Sequence, residues 1–418
     1  MFDNISHIID LPLSKSEANR YLMLRYYAAQ LLPSFDAADD VNLLRQLLEE
    51  IINNDGEEVK VIDCDNAGTV LRFLATALSM RKGSFVLTGS ERMRQRPIAE
   101  LVEALNKLGA SICYLENEGY PPLMIEGRDI KGGEVTISAE RSSQFVSSLL
   151  LAAPSMRDGL SLQLVGDIAS QPYIDMTIKM MRDCGIVIDD RDNVIKIKHQ
   201  HYNCDFVKVE SDWSSAAFWY ELVALYDDDI NVLLKNLNIE SRQADAAAMN
   251  MFATLGVSTQ QVKEGVIIRK SITNSQQLTF NFSQCPDLFP AVIATCAGLH
   301  VDATFTGVKN LSLKESDRKM AMMTELMKMN VVFENVSDDI LKMKCHDNMP
   351  YHTEDNPIIF SSYNDHRIVM ALAMLYPKIG TIRIEDKNVV SKSYPDFWAD
   401  LECFLNLSKG RKNLSQTT

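Results

Sequence analysis

The feature of this 418-residue chain that most limits its fold is an internal repeat of about seventy-five residues. Amphipathic segments at 97–108, 172–184, 245–255 and 316–329 run into Gly109, Gly185, Gly256 and Asn330, stops that lie 76, 71 and 74 residues apart. A second kind of segment opens on polar residues and then becomes apolar and Ala-rich, as a helix buried on all sides must be. Its starts fall near Ser16, Asn66, Ser142, Asp212, Asp287 and Asp365, at intervals of 50, 76, 70, 75 and 78. Strand-like stretches at 84–87, 195–197, 266–268 and 382–384 lie between the helices. Two separate landmarks with one period predict an α/β fold of six units, grouped three and three, with the first unit trimmed.

The length allows two cores. A formal net charge of −14 argues against a nucleic-acid or anionic-membrane partner. Apolar runs such as 149–153 and 369–376 are too short to span a bilayer, and the N-terminal residues have neither a basic leader nor a small-residue cleavage site. The eight cysteines are scattered, with no CxxC pair and no His at metal spacing, which predicts no metal site, no disulfide framework and a reducing cytosol. An anionic ligand would need a local cationic cluster working against the global field.

The buried helices offer one. Each leaves unpaired N–H groups and a partial positive charge at its N-terminus, where an anion is a natural partner. Ser16, Asn19 and Arg20 share one helical face at i, i+3, i+4 and put a hydroxyl beside a guanidinium. Asn66 and Gly68 precede Arg72, and Gly68 permits a close backbone approach. Arg92, Arg94 and Arg96 make a cationic loop; Ser142, Ser143 and Gln144 supply neutral donors; Ser170 and Tyr173 flank Pro172. Lys314 and Arg318 are a like-charged i, i+4 pair that needs an anion or carboxylate between them. Asn364-Asp365-His366-Arg367 opens an otherwise apolar helix. Each cluster alone has a plainer reading, as a cap, a solvated run or an internal network. Only convergence of the openings on one gap makes a polyanion pocket.

In order along the chain, these segments resemble the 5-enolpyruvylshikimate-3-phosphate synthase family of enolpyruvyl transferases. The matches are Leu-Pro-x-Ser-Lys-Ser-x-x-Asn-Arg at 11–20, Asn-Ala-Gly-Thr-x-x-Arg at 66–72, Arg-Met-x-x-Arg-Pro-Ile at 92–98 and Ser-Ser-Gln-Phe at 142–145. Pro-Tyr-Ile-Asp at 172–175, Lys-Glu-x-Asp-Arg at 314–318, Asn-Asp-His-Arg at 364–367 and Lys-x-x-Pro-Asp at 392–396 complete the set. The resemblance implies a two-domain inside-out α/β barrel of six βαβαββ-like units, three per domain. One domain would span 13–211, the other 1–12 plus 212–418, with the substrates between them.

It also implies transfer of the enolpyruvyl group of phosphoenolpyruvate to the 5-hydroxyl of shikimate 3-phosphate, with release of phosphate. Lys15, Ser16, Arg20, Ser142, Ser143, Gln144, Ser170, Tyr173, Asp287, Asn310 and Lys314 would hold shikimate 3-phosphate. Lys15, Asn66, Gly68, Arg96, Gln144, Arg318, Arg367 and Lys392 would hold phosphoenolpyruvate. Asp287 would be the base, Glu315 the proton donor and Lys15 the third catalytic group, in a cytoplasmic monomer that needs neither a metal nor an organic cofactor. Lys314 and Arg318 should lower the pKa of Glu315, which runs against an acid role. The similar UDP-N-acetylglucosamine enolpyruvyl transferases carry a Cys in the loop that here spans 89–98 without one. Retention of Lys15, Asp287 and Glu315 speaks against a non-catalytic homologue. The chain departs from the family at Leu13, Phe73 and Ser211, and in the short segment 41–64, which predicts a missing peripheral hairpin.

Overall fold

The computed structural model describes residues 5–34, 38–53, 58–168, 170–204, 208–272, 278–346 and 349–415. Its buried apolar residues divide into two clusters. One gathers side chains from Ala18 to Val209, the other Ile9, Leu11 and those from Trp213 to Phe404.

In the first half, α1 (Lys15–Tyr27) and α2 (Asp39–Ile52) precede two complete units. The first has strands Lys60–Asp63 and Gly83–Thr88 around α3 (Gly68–Met80), then α4 (Ala99–Lys107) and the hairpin Ile112–Tyr114/Leu123–Gly127. The second repeats this with Gly133–Ser138, α5 (Ser143–Ala152), Leu160–Val165, α6 (Gln171–Asp183) and Ile188–Arg191/Val194–Ile197. After the crossing come α7 (Trp213–Leu225), Asn231–Lys235, α8 (Ala248–Thr254) and the hairpin Val257–Val262/Gly265–Lys270. The strand His7–Ile9 from the chain's start completes that sheet. The next unit holds Leu278–Asn281, α9 (Phe289–Gly298), Ala303–Thr306, α10 (Arg318–Leu326) and Val331–Ser337/Ile340–Cys345. The last has Ile358–Phe360, α11 (His366–Ala373), α12 (Tyr376–Ile379), Ile382–Ile384 and α13 (Phe397–Ser415).

Among the described residues, the four four-stranded sheets share one topology. The strands flanking the buried helix pair in parallel, and the closing hairpin adds in antiparallel sense, giving the order first, second, fourth, third. The helices that open on polar residues pack together inside, α1, α3 and α5 in one half and α7, α9 and α11 in the other, while the sheets lie outside. In α7 all thirteen residues are buried. Each large side chain buried this way contributes about 1.5–3 kcal/mol relative to exposure.

Two expectations need correction. The trimming is larger and occurs twice: among the described residues the first unit carries no sheet of its own, only an isolated Leu13–Ser211 bridge, and the last sheet has two strands. Segment 41–64 begins inside the amphipathic helix α2, which buries Val41, Leu44, Leu47, Leu48 and Ile51 (residues 54–57 lie outside the described set). Cys184 and Cys204 form a disulfide, against the expectation of none. Cys184 caps α6, and Asn203 N–H donates to its carbonyl at 2.9 Å, so the backbone itself brings the two thiols together across 20 residues. The other six cysteines are free.

The two crossings between the halves lie side by side. Ser14 N–H donates to the Glu210 carbonyl at 2.8 Å and Asp212 N–H to the Pro12 carbonyl at 2.9 Å. Behind them the buried Glu17 accepts from Glu210 N–H at 2.9 Å and pairs with Arg242 at 3.2 Å. Burial pushes its pKa up to about 7.

Candidate active site

Between the two cores lies a cavity of about 700 Å³. The openings of α1, α3, α5, α6 and α11 reach it, as do the segments that lead into α9 and α10, because helix starts are where polar capping residues meet solvent. Its first wall, from the N-terminal half, holds cations against neutral oxygens. Arg20, 2% exposed, donates from Nε to Thr177 Oγ1 at 2.7 Å, from Nη1 to the Ser16 carbonyl at 2.9 Å, and from Nη2 to Ser147 Oγ at 3.1 Å and the Tyr173 carbonyl at 3.2 Å. The rings of Phe73 and Tyr173 lie 5.7 and 6.0 Å from its guanidinium carbon. Burial pushes its pKa down to about 10.

Arg72 donates to the carbonyls of Gly68 at 3.0 Å and Pro97 at 3.1 Å, and Arg96 to that of Asn66 at 3.2 Å. Their guanidiniums crowd the start of α3: a Cβ on Gly68 would sit 2.6 Å from Arg96 Nη2 and 2.7 Å from Arg72 Nη1. Burial pushes both pKa values down, as does the other guanidinium in the case of Arg72. The Nε atoms of both are buried with no hydrogen-bond partner among the described residues. Two cations on this wall do meet carboxylates: Lys15 binds Asp40 at 2.9 Å, and the more exposed Arg141 lies 3.3 Å from Glu100. Burial opposes the charge of Lys15, but the Asp40 and Glu315 carboxylates outweigh that and raise its pKa.

The facing wall is charge-compensated. Arg318, 1% exposed, reaches Asp365 at 2.8 Å, Asp287 at 2.7 Å and Glu315 at 2.6 Å. Asp287 also takes Arg367 at 3.1 Å and Lys314 at 3.5 Å, so a carboxylate does stand between the like-charged Lys314 and Arg318. The fully buried Asp365 caps α11 through Arg367 N–H at 3.0 Å and accepts from Ser316 Oγ at 3.0 Å. Burial would raise Asp287 and Glu315. Arg367, Lys314 and Arg318 outweigh it at Asp287, and Arg318, Arg96 and Lys15 at Glu315, so both carboxyls stay well below their usual range. In return the carboxylates outweigh burial and raise Arg318 and Arg367.

Bonds also cross the gap. Arg92 donates to the Ser312 carbonyl at 2.9 Å, Asn310 Nδ2 to the Glu140 carbonyl at 3.0 Å, Gln171 N–H to Gln284 Oε1 at 2.8 Å and Ser391 Oγ to Asp39 Oδ2 at 2.5 Å. Among the described residues, eight cationic and six acidic side chains line the cavity, so its wall is net +2 in a chain of net −14.

The structure brings to this wall Lys15, Ser16, Arg20, Gly68, Arg96, Ser142, Ser143, Gln144, Ser170, Tyr173, Asp287, Asn310, Lys314, Glu315 and Arg367. Three residues named from the sequence stand back from it. Asn66 contributes its carbonyl to Arg96, Arg318 lies behind Asp287 and Glu315, and Lys392 donates to Asn364 Oδ1 at 3.3 Å. Sequence reasoning passed over Asp40 and the two hydroxyls that hold Arg20, Thr177 and Ser147. Asp40 had a signal, since Asp39-Asp40 precedes the helical spacing of Val41, Leu44, Leu48 and Ile51.

A family model described as EPSP synthase (3-phosphoshikimate 1-carboxyvinyltransferase) matches residues 3–401. A 3-phosphoshikimate 1-carboxyvinyltransferase of Bacteroides fragilis (strain YCH46) is 40% identical over 400 residues, covering 95% of each chain. One of Sulfurovum sp. (strain NBC37-1) is 31% identical, over 94% of this chain and 95% of its own. In fold, the chain is similar to the solved EPSP synthase of Acinetobacter baumannii, with a TM-score of 0.71 at 21% identity over 94% of both chains.

Proposed function

From the premise that this chain belongs to the EPSP synthase family, we propose that it transfers the enolpyruvyl group of phosphoenolpyruvate to the 5-hydroxyl of shikimate 3-phosphate. The observation that carries this reading is one cavity with two unlike walls, under-neutralised guanidiniums on one side and a paired carboxylate–cation network on the other. Both substrates are polyanions, and bringing them together costs Coulomb repulsion that Arg20, Arg72, Arg96 and Lys15 offset.

In this reading the Arg20 pocket, with Ser16, Ser142, Ser143, Gln144, Ser170, Tyr173, Asn310 and Lys314, takes shikimate 3-phosphate. Lys15, Gly68, Arg96, Gln144 and Arg367 take phosphoenolpyruvate, supported from behind by Asn66 and Arg318, and Lys392 joins when the gap closes. Asp287 accepts the proton of the 5-hydroxyl as its oxygen attacks C2, while Glu315 delivers a proton to C3. Glu315, left as a carboxylate, then takes a proton back from the new methyl group as phosphate departs from C2 with the proton held by Asp287, and the double bond is restored. Lys15, beside the reacting groups, stabilises the charge that shifts onto the phosphate.

The low pKa of Glu315 in the empty site fits an acid role only if substrate anions draw Arg318, Arg96 and Lys15 toward themselves and let its pKa rise. The two cores act as domains, 13–211 and 1–12 plus 212–418, that close on the substrates, in a cytoplasmic monomer.

The test is phosphate release with both substrates present. Release that requires phosphoenolpyruvate and shikimate 3-phosphate together supports the assignment. Release with UDP-N-acetylglucosamine instead, or with neither acceptor, overturns it.

A further inference from the structure

The first turn of α2 carries two adjacent acids that point to different halves of the molecule. Asp40 lines the cavity and binds Lys15 Nζ at 2.9 Å, with the two side chains only 17% and 14% exposed. Asp39 accepts from Ser391 Oγ at 2.5 Å, across the gap. Ser391 precedes Lys392, which in this arrangement reaches Asn364 rather than the cavity wall. Helix α2 is a rigid mount for both acids, because Val41, Leu44, Leu48 and Ile51 are buried against its neighbours, α1 among them.

We propose that the first turn of α2 is a two-sided clamp, in which Asp40 positions Lys15 and Asp39 grips Ser391, so that closure of the gap and placement of the Lys15 ammonium are set by one rigid element. Asp40 and Asp39 are thus positioning residues that act through Lys15 and Ser391. This rests on the assignment of Lys15 to phosphoenolpyruvate made above. When the halves separate, Ser391 leaves Asp39, the turn loses its second anchor and Lys15 is held less firmly. When they close, both bonds form and the ammonium returns to one place. Asp40 also keeps Lys15 charged: burial opposes the ammonium, and the Asp40 carboxylate is the larger of the two acids that outweigh it.

Two readouts on the full chain test the clamp, one of them independent of turnover. Acetylation of Lys15 by an N-hydroxysuccinimide ester at pH 8, followed by peptide mass spectrometry, reports the free amine. Asp40→Asn should raise its labelling rate about fivefold or more, since removing the carboxylate lowers the amine's pKa and each pKa unit is tenfold in free amine. Ser391→Ala, in the half-buried 3-10 turn Lys387–Lys392, should raise it about twofold, and Ser391→Ala added to Asp39→Asn should add nothing further, because both remove one bond. In the second readout, Asp40→Asn should lower kcat about tenfold or more while the dissociation constant of shikimate 3-phosphate changes less than about threefold. Asp40→Glu should recover part of that kcat. Labelling and kcat both within twofold of the parent in Asp40→Asn would overturn the Lys15 half. Unchanged labelling in Ser391→Ala and Asp39→Asn would overturn the coupling. If the parent protein turned over neither substrate, the reading of the reaction would fall while the labelling still decided the clamp.

Discussion

The two walls of the cavity solve opposite electrostatic problems with the same residue types. On the N-terminal wall, Arg20, Arg72 and Arg96 spend their donors on hydroxyls and backbone carbonyls, so their charge is positioned without being neutralised. On the C-terminal wall, Arg318, Arg367 and Lys314 face Asp287, Glu315 and Asp365, so charge meets charge at 2.6–3.5 Å. The consequence appears in the shifts. Burial pushes the guanidiniums of the first wall down, whereas carboxylates outweigh burial and raise Arg318 and Arg367. In the proposed reaction the first wall binds the substrate anions, and the second stores proton-transfer groups until an incoming anion redistributes its cations.

The largest break in this contrast should come at Glu315. Glu315→Gln is expected to slow kcat about 10²- to 10⁴-fold, as loss of a general acid does. In the parent, the alkaline limb of kcat, which reports the ternary complex, should lie at higher pH than that of kcat/KM, which reports the free enzyme and its depressed Glu315. Coincident limbs would deny the redistribution. Arg318→Met comes next, since it leaves three carboxylates facing one another around a buried void. It should cost about 3–5 kcal/mol in urea unfolding, the range for removing one partner of a buried ion pair, and a loss near zero would mean the network is not compensated as described. Thr177→Val is smaller. It strips the Arg20 Nε of its acceptor and should cost about 1–3 kcal/mol of stability. No change would mean that the neutral oxygens do not anchor the first wall.

Much of this was legible in the sequence, and what was legible was local. Polar openings ahead of apolar runs marked the helix starts, and the seventy-five-residue period marked the units, because both arise within a few turns of chain. Ser142-Ser143-Gln144 and Lys314-Glu315 therefore stand on the cavity wall, as the pattern required. What the sequence hid was long-range. Thr177 meets Arg20 across 157 positions, and Asp365 meets Arg318 across 47. No periodicity links such pairs. Asp40 sat in a segment read as trimmed, although its helical spacing was plain, and the disulfide lacked any motif because a helix cap and a returning loop bring its cysteines together. Arg318 shows the same limit from the other side: its motif was found, but only the packing shows that it stands behind the carboxylates.

The division of labour between the walls is tested most directly by measuring binding and turnover in the same two variants. Calorimetric titration with shikimate 3-phosphate, set beside kcat, should show Arg20→Met losing about tenfold or more in affinity, in keeping with loss of a charge-assisted hydrogen-bond donor. Glu315→Gln should bind at least as tightly as the parent and still turn over about a hundredfold slower or worse. The reverse pattern, with affinity lost at Glu315 and kept at Arg20, would contradict the account.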